Sequence, residues 1–184
     1  MIPDIKELWS RVRRDDPKAW RQLVELYGRL VYSVARRVGL SVPDAEDCSQ
    51  HTWLALYRRR KSLKGPSGLP AWLIRTAHRQ AVYLRRRTAR DASLDNLERL
   101  PDEGLLPDEV VARLERQALV EIAMRHLDPR CRMLLEQLFI SPHQKSYREL
   151  ARDLDLRPNA IGPLRSRCLA KLERILKKTG YEPD

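Results

Sequence analysis

The chain has 184 residues and a formal charge of +11, with 36 Lys and Arg against 25 Asp and Glu. At 42% hydrophobic residues it can bury a real core, which excludes a disordered basic tail. The basic balance favours nucleic acid or an anionic membrane surface as partner. No stretch approaches the ~20 apolar residues of a spanning helix, and the N-terminus carries acids and no apolar run, unlike a secretory signal. A cytoplasmic protein without membrane insertion is expected.

Phe occurs once, and β-branched residues are sparse beside Leu, Arg, Ala and Glu, which predicts an all-α protein. Ile5, Leu8, Trp9 and Val12 mark a short first helix. Asp15-Asp16-Pro17 is a start signal, an Asp cap followed by Pro at the first helical position. The helix after it has Trp20, Leu23, Tyr27, Leu30, Val31, Val34 and Val38 in register for the core, and Gly39 ends it.

Residues 41–61 form the next helix, capped by Ser41 or Asp44, with Ala45, Cys48, Thr52 and Leu56 inward. Asp44, Glu46 and Asp47 complement the positive end of its dipole. Capping does not explain why Gln50, Trp53 and Tyr57 share a row with them, so an acidic and aromatic docking face for another protein stands beside the structural reading. Residues 62–68 read as a loop.

The segment 69–90 is the centre of the argument. Leu69, Trp72, Leu73, Thr76, Ala77, Ala81 and Leu84 recur at helical spacing as a buried stripe, while Arg75, Arg79, Val82 and Arg86 follow another row. From Arg58 to Arg90 there are eleven Lys and Arg and no Asp or Glu. Ordinary surfaces intersperse the two signs, so this stretch points to a surface that meets a polyanion.

From Asp91 to Val110 the sign inverts, with seven acids against Arg99 alone, and Pro101, Gly104 and Pro107 break any helix. These residues are expected to be an acidic linker between two helical domains, residues 1–90 and 111–184. A helix resumes at Glu109 with Val110, Val111, Leu114, Ala118 or Leu119, Ile122 and Ala123 apolar. Asp128-Pro129 starts another, with Cys131, Met133, Leu134, Leu135, Leu138 and Phe139 for the core. Ser146 and Glu149 have capping-box spacing at the head of a short helix. A turn at residues 155–157 then leads into a longer basic helix with Ile161, Leu164, Cys168 or Leu169, Leu172, Ile175 and Leu176 inward. A short helix, a turn and a longer basic helix make a helix-turn-helix, although a purely structural hairpin reads similarly. In the DNA-binding form, Arg157, Asn159, Arg165, Ser166 and Arg167 face bases, and Lys171, Arg174 and Lys177 face phosphate or solvent.

Cys48, Cys131 and Cys168 lie far apart and form no Cys-x-x-Cys, so they read as three separate thiols, buried or half-buried. Cys48 and His51 have ligand-like spacing, but one pair does not make a zinc site. No metal, cofactor or nucleophile–base pair is expected.

A basic helix ending one domain and a helix-turn-helix after an acidic stretch together resemble the sigma-70 family of RNA polymerase sigma factors, in the short extracytoplasmic-function (ECF) group. The resemblance covers nearly the whole chain. Residues 44–60, DAEDCSQHTWLALYRRR, are similar to region 2.2, which docks on the clamp helices of the polymerase β′ subunit. Residues 69–87 are similar to regions 2.3 and 2.4, which melt and read the promoter −10 element. Residues 146–176 are similar to region 4.2, which reads the −35 element and touches the β flap.

Carried over by position, the resemblance implies core-polymerase contacts at Asp44, Glu46, Asp47, Gln50, Trp53, Leu54 and Tyr57. It implies −10 DNA contacts at Lys61, Lys64, Arg75, His78, Arg79, Tyr83, Arg86 and Arg87, with Tyr83 or His78 stacking on a flipped base. It implies −35 contacts at Arg157, Asn159, Arg165, Ser166, Arg167 and Lys171, and a structural Trp72. The chain departs from the common pattern at His78-Arg79, where many members have Arg-Asn, and at Gly162-Pro163-Leu164, where Lys-Ser-Arg is common. The implied partners are core RNA polymerase, promoter DNA and an anti-sigma factor, and the polymerase performs the chemistry. The alternatives are a free-standing helix-turn-helix regulator, which would not require the 44–57 face, and a sigma-like interaction module held by an anti-sigma partner.

Overall fold

The computed structural model describes residues 4–63, 65–92, 106–179 and 181, the side chains of 89–92 excepted. Among these residues every regular element is helical: α1 (Ile5–Arg13), α2 (Pro17–Arg37), α3 (Val42–Arg59), α4 (Leu69–Ala92), α5 (Asp108–Arg125), α6 (Pro129–Leu135), α7 (Tyr147–Asp153) and α8 (Ile161–Lys178). A π-helical turn, Glu136–Ile140, follows α6, and a 3-10 turn, Pro158–Ala160, precedes α8. Two compact units result, one of Ile5–Ala118 and one built on Leu119–Asp184. The expected linker, residues 91–110, falls largely on residues 93–105, which lie outside the described residues; its ends, 91–92 and 108–110, lie in α4 and α5, and residues 111–118, expected in the second domain, group with the first unit.

In the first unit α2 is the central element and packs on α1, α3 and α4. Asp16 caps it, its carboxylate accepting from the backbone of Lys18 at 2.8 Å and of Ala19 at 3.3 Å, and Pro17 supplies a first residue that needs no partner. Leu23, Leu26, Tyr27, Leu30, Val31 and Val34 form its buried stripe. Each such aliphatic side chain contributes about 1.5–3 kcal/mol on burial. Gly39 follows the helix at φ +92, a left-handed conformation that a side chain would strain. Trp20, expected in the core, is only half-buried. Its ring meets Trp53 and Tyr57 edge-on at 6.1 and 5.5 Å, so it props the outer face of α3.

Small residues let the helices approach. Ala35, Ala45, Cys48 and Ala81 lie in one buried cluster with Val38 and Leu40. The Cys48 thiol donates to the Ala77 carbonyl of α4 at 3.3 Å, and burial pushes its pKa up to about 11. Arg85 of α4 donates to the Val38 carbonyl at the end of α2 at 2.9 Å, tying α4 to the turn that ends α2.

In the second unit Asp128 caps α6, and the Arg132 guanidinium takes up the carbonyls of Met124, Arg125 and Leu127, the first two at the end of α5. Leu134, Leu135, Leu150, Ala151, Ile161 and Leu164 build the core with both cysteines of this unit. Here the sequence reading needs correcting: Cys131 and Cys168 are not separate thiols but a disulfide joining α6 to α8, their Cα atoms 5.2 Å apart. Only Cys48 is free, and it is buried. A second correction concerns Phe139, placed in the core by periodicity but 59% exposed. The π-helical turn shifts the register after Leu135 and turns Phe139 and Ile140 outward while Leu138 stays half-buried.

Candidate docking face and nucleic-acid interface

The first surface is on α3. Ser41 caps this helix, and its hydroxyl lies 2.6 Å from the Asp44 carboxylate, so Asp44 is half-buried in the cap. Glu46, Asp47, Gln50, Leu54 and Tyr57 are exposed along the helix, and Trp53 is half-buried between them and Trp20. The face therefore runs from carboxylates at its N-terminal end to an aliphatic and a phenolic ring at the other.

The Arg60 guanidinium fixes that far end. It lies 3.8 Å over the Tyr57 ring, donates to the Tyr57 carbonyl, and binds the Asp15 carboxylate. Chiefly that Arg60 hydrogen bond holds the Asp15 carboxyl below its ordinary range. Arg60 is thus a buried structural cation inside a run that reads as uniformly basic and exposed.

The second surface is α4 with the connection before it. Arg79, Arg86 and Arg87 are exposed, as is Tyr83 at 63%, so these four expected DNA contacts stand open to solvent. Lys61 is exposed and lies 3.6 Å from Asp15, and Lys64 lies outside the described residues. Arg75 is paired at 2.7 Å with Asp108 in the first turn of α5. His78 departs from the expectation: it is 9% exposed and buried beside Ile74, Thr76 and Ala77, a position unsuited to stacking on a base. Trp72 is half-buried, consistent with a packing role.

The third surface is the helix-turn-helix of the second unit. The α7 capping box is complete, Ser146 and Glu149 satisfying each other's backbone N–H, and Asp155 takes φ +51 in the turn. The 3-10 turn carries Pro158-Asn159-Ala160 into α8, so Pro163 falls in the first turn of α8, where a missing N–H is tolerated. Arg157, Asn159, Arg165, Ser166 and Arg167 are all exposed at this end. Arg165 donates to the Tyr147 hydroxyl at 2.9 Å, which makes Tyr147 a support that the sequence reading missed. Only the Ser146 cap placed Tyr147 at the helix start, and nothing in its spacing indicated a partner 18 residues on. Lys171 is bound to Asp128 at 2.8 Å, so it holds α8 to the α6 cap.

Among the described residues no group of three or more His, Cys, Asp or Glu could hold a metal ion, and no helix is long and apolar enough to cross a membrane.

These features define an all-helical protein of helix-turn-helix type, with a separate acidic and aromatic face beside a cationic helix. Residues 23–91 match the family Sigma-70 region 2. The chain is 27% identical over 184 residues to RNA polymerase sigma factor NccH of Alcaligenes xylosoxydans xylosoxydans, covering 96% of this chain and 97% of that one. It is 26% identical over 152 residues to ECF RNA polymerase sigma factor SigE of Mycolicibacterium smegmatis, covering 81% and 57%. With ECF RNA polymerase sigma factor SigW of Bacillus subtilis the identity is 23% over 146 residues, covering 74% and 78%. The chain thus carries a Sigma-70 region 2 match in its first unit and is similar over most of its length to RNA polymerase sigma factors, two of them of the extracytoplasmic-function group.

Proposed function

We propose that the chain binds the β′ clamp helices of core RNA polymerase through α3, opens and reads the −10 element with α4, and reads the −35 element with the start of α8. The observation that carries this reading is the α3 face. Glu46, Asp47, Gln50, Leu54 and Tyr57 are exposed together and backed by Trp20 and Trp53. A rigid aromatic backing under an exposed aliphatic and acidic row is what a protein hot spot requires, and a free-standing DNA regulator has no use for one. The exposed cations of α4 and Tyr83 suit a strand whose bases have left the stack.

At −35, Arg157, Asn159, Arg165, Ser166 and Arg167 are the reading residues, and Phe139 and Ile140 offer an apolar contact to the β flap. An anti-sigma factor is a further partner in this reading. The role is exercised in the cytoplasm, where polymerase and DNA are found. The test is capture on immobilised core polymerase: wild type is retained, and Asp47→Ala and Leu54→Asp lose about ten-fold or more in affinity. Equal retention of all three contradicts the docking assignment.

A further inference from the structure

The Cys131–Cys168 link ties α6 to α8 at the point where α8 does its proposed work. Cys168 follows directly on Arg165, Ser166 and Arg167, three of the exposed residues assigned to the −35 element, and it is buried while they are not. The polar fastenings of α8 are weak one by one. Arg165 donates to the Tyr147 hydroxyl at 2.9 Å and Lys171 to Asp128 at 2.8 Å, both between exposed groups. A unit built on Leu119–Asp184 lies below the ~70–80 residues at which one apolar core leaves a wide margin of stability. A cross-link closing 37 residues stabilises by about as much as that whole margin. Making or breaking it therefore moves the unit between firmly folded and marginal. In the cytoplasm thiol pools keep most cysteines reduced, and a disulfide that forms there is as a rule transient, catalytic or redox-sensing. The third cysteine does not compete for pairing: Cys48 lies in the first unit, buried, its thiol donating to the Ala77 carbonyl.

We infer that Cys131 and Cys168 form a reversible thiol–disulfide switch that sets whether α8 can read the −35 element, with a glutathione-type thiol and its disulfide as the reacting couple. In the reducing direction a thiolate of the couple attacks one sulfur of the link and forms a mixed disulfide with it. The other sulfur leaves as a thiolate and takes up the proton that the attacking thiol gave up. A second thiol of the couple then attacks the mixed disulfide, frees the second cysteine and leaves the couple as its disulfide. Two electrons pass from two small thiols to the link, and the return step runs the same exchange backwards. Both cysteines are buried, so exchange waits on a local opening of the unit. Leu134, Leu135, Ile161 and Leu164 share a core with them, so packing returns the two thiols to each other when the couple turns oxidising. The α3 face and α4 lie in the first unit and carry no part of the switch. The inference rests on the −35 reading of α8 and on a cytoplasmic site of action.

The test equilibrates the full chain in glutathione buffers from reducing to oxidising and reads three quantities. They are the linked fraction by thiol alkylation and mass, amide exchange of α8 peptides, and run-off transcription with core polymerase on fragmented genomic DNA. Exchange in α8 is expected to quicken about ten-fold or more as the link is reduced, while α2 is unchanged. Transcripts are expected to fall with the same midpoint as the link. Cys131→Ser/Cys168→Ser is expected to match the reduced chain in every buffer. The proposal is overturned by a chain that alkylates at all three cysteines, or that stays fully linked, across the whole range. It is overturned equally by α8 exchange indifferent to the link, or by transcription that responds alike in wild type and the double variant. The outcome is separable from the promoter reading: with no transcripts in any buffer that reading fails, and the switch stands or falls on the coupling of α8 exchange to the link.

Discussion

Asp128 caps α6 through the Cys131 backbone N–H at 3.0 Å, and the same carboxylate binds Lys171 of α8 at 2.8 Å, one turn beyond the cysteine that closes the disulfide with Cys131. Helix α8 is therefore fastened to α6 twice, by a covalent bond and by an ion pair.

The covalent link has a measurable consequence. It closes a loop of 37 residues, and cross-links of that length stabilise by roughly 4 kcal/mol in the chain-entropy account. Reductant is expected to lower the melting temperature of the second unit, and Cys131→Ser to lower it equally and abolish the response. Thiol titration of the denatured oxidised chain should find Cys48 alone. Identical melting with and without reductant would contradict the link.

The ion pair gives a pH dependence. Lys171, followed by the Cys131 backbone N–H, holds the Asp128 carboxyl below its ordinary value. A carboxyl whose folded pKa is depressed contributes stability above its unfolded value, and that stability is lost as pH falls through the folded value. The second unit is expected to lose stability below about pH 4, and Asp128→Asn to flatten this acid limb. The same substitution removes the ion pair but keeps a capping side chain, so at neutral pH it is expected to cost less than Asp128→Ala, for which cap loss alone is about 1 kcal/mol. Urea melts at pH 3.5 and 7 separate the cases.

At the other end of the pH scale the sensitive group is Tyr27. It is fully buried on α2, its hydroxyl has no hydrogen-bond partner among the described residues, and burial followed by the Glu115 carboxylate raises its pKa well above the ordinary value. The unfolded chain releases this proton near pH 10 and the folded chain does not, so stability is expected to fall as pH rises above about 10. Tyr27→Phe removes an unsatisfied buried hydroxyl and is expected to stabilise by about 1 kcal/mol and to remove that alkaline loss. A destabilised variant would mean that the hydroxyl has a partner.

Tyr83 and His78 are expected to separate cleanly. Exposed Tyr83 can stack on an unpaired base, worth about 1–3 kcal/mol, so Tyr83→Ala should weaken the open complex at unchanged thermal stability. His78→Ala removes a buried ring and should lower stability first. Permanganate reactivity of promoter thymines and thermal melting together decide it. A stable His78→Ala with defective opening would restore His78 to the DNA surface.

Much of this was legible in the chain because its start signals are local. Asp16-Pro17, Asp128-Pro129 and the Ser146–Glu149 capping box each satisfy their own helix end, so three or four residues suffice to read them. The misses depend on contacts distant in sequence. Ile74 and His78 lie one turn apart on a row outside the expected stripe, and they are buried because α4 packs against both α2 and α3. Arg60 reads as one more cation until Asp15, 45 residues earlier, lies beside it. Cys131 and Cys168 carry no spacing signal, and Phe139 is displaced by a π-helical turn that periodicity cannot show. Within the α3 site the exposed row was legible, but the aromatic backing from Trp20 was not, because Trp20 fits the core register of α2 equally well.

The most direct measurement is run-off transcription by reconstituted bacterial core polymerase on fragmented genomic DNA, with wild type, Asp47→Ala and Arg79→Ala side by side. The account predicts initiation at discrete sites only when the chain is added. Asp47→Ala should be rescued by raising its concentration, because it weakens core binding, and Arg79→Ala should not be rescued, because it impairs opening. Duplex binding by the chain without any association with core, and no added transcripts, would contradict the account.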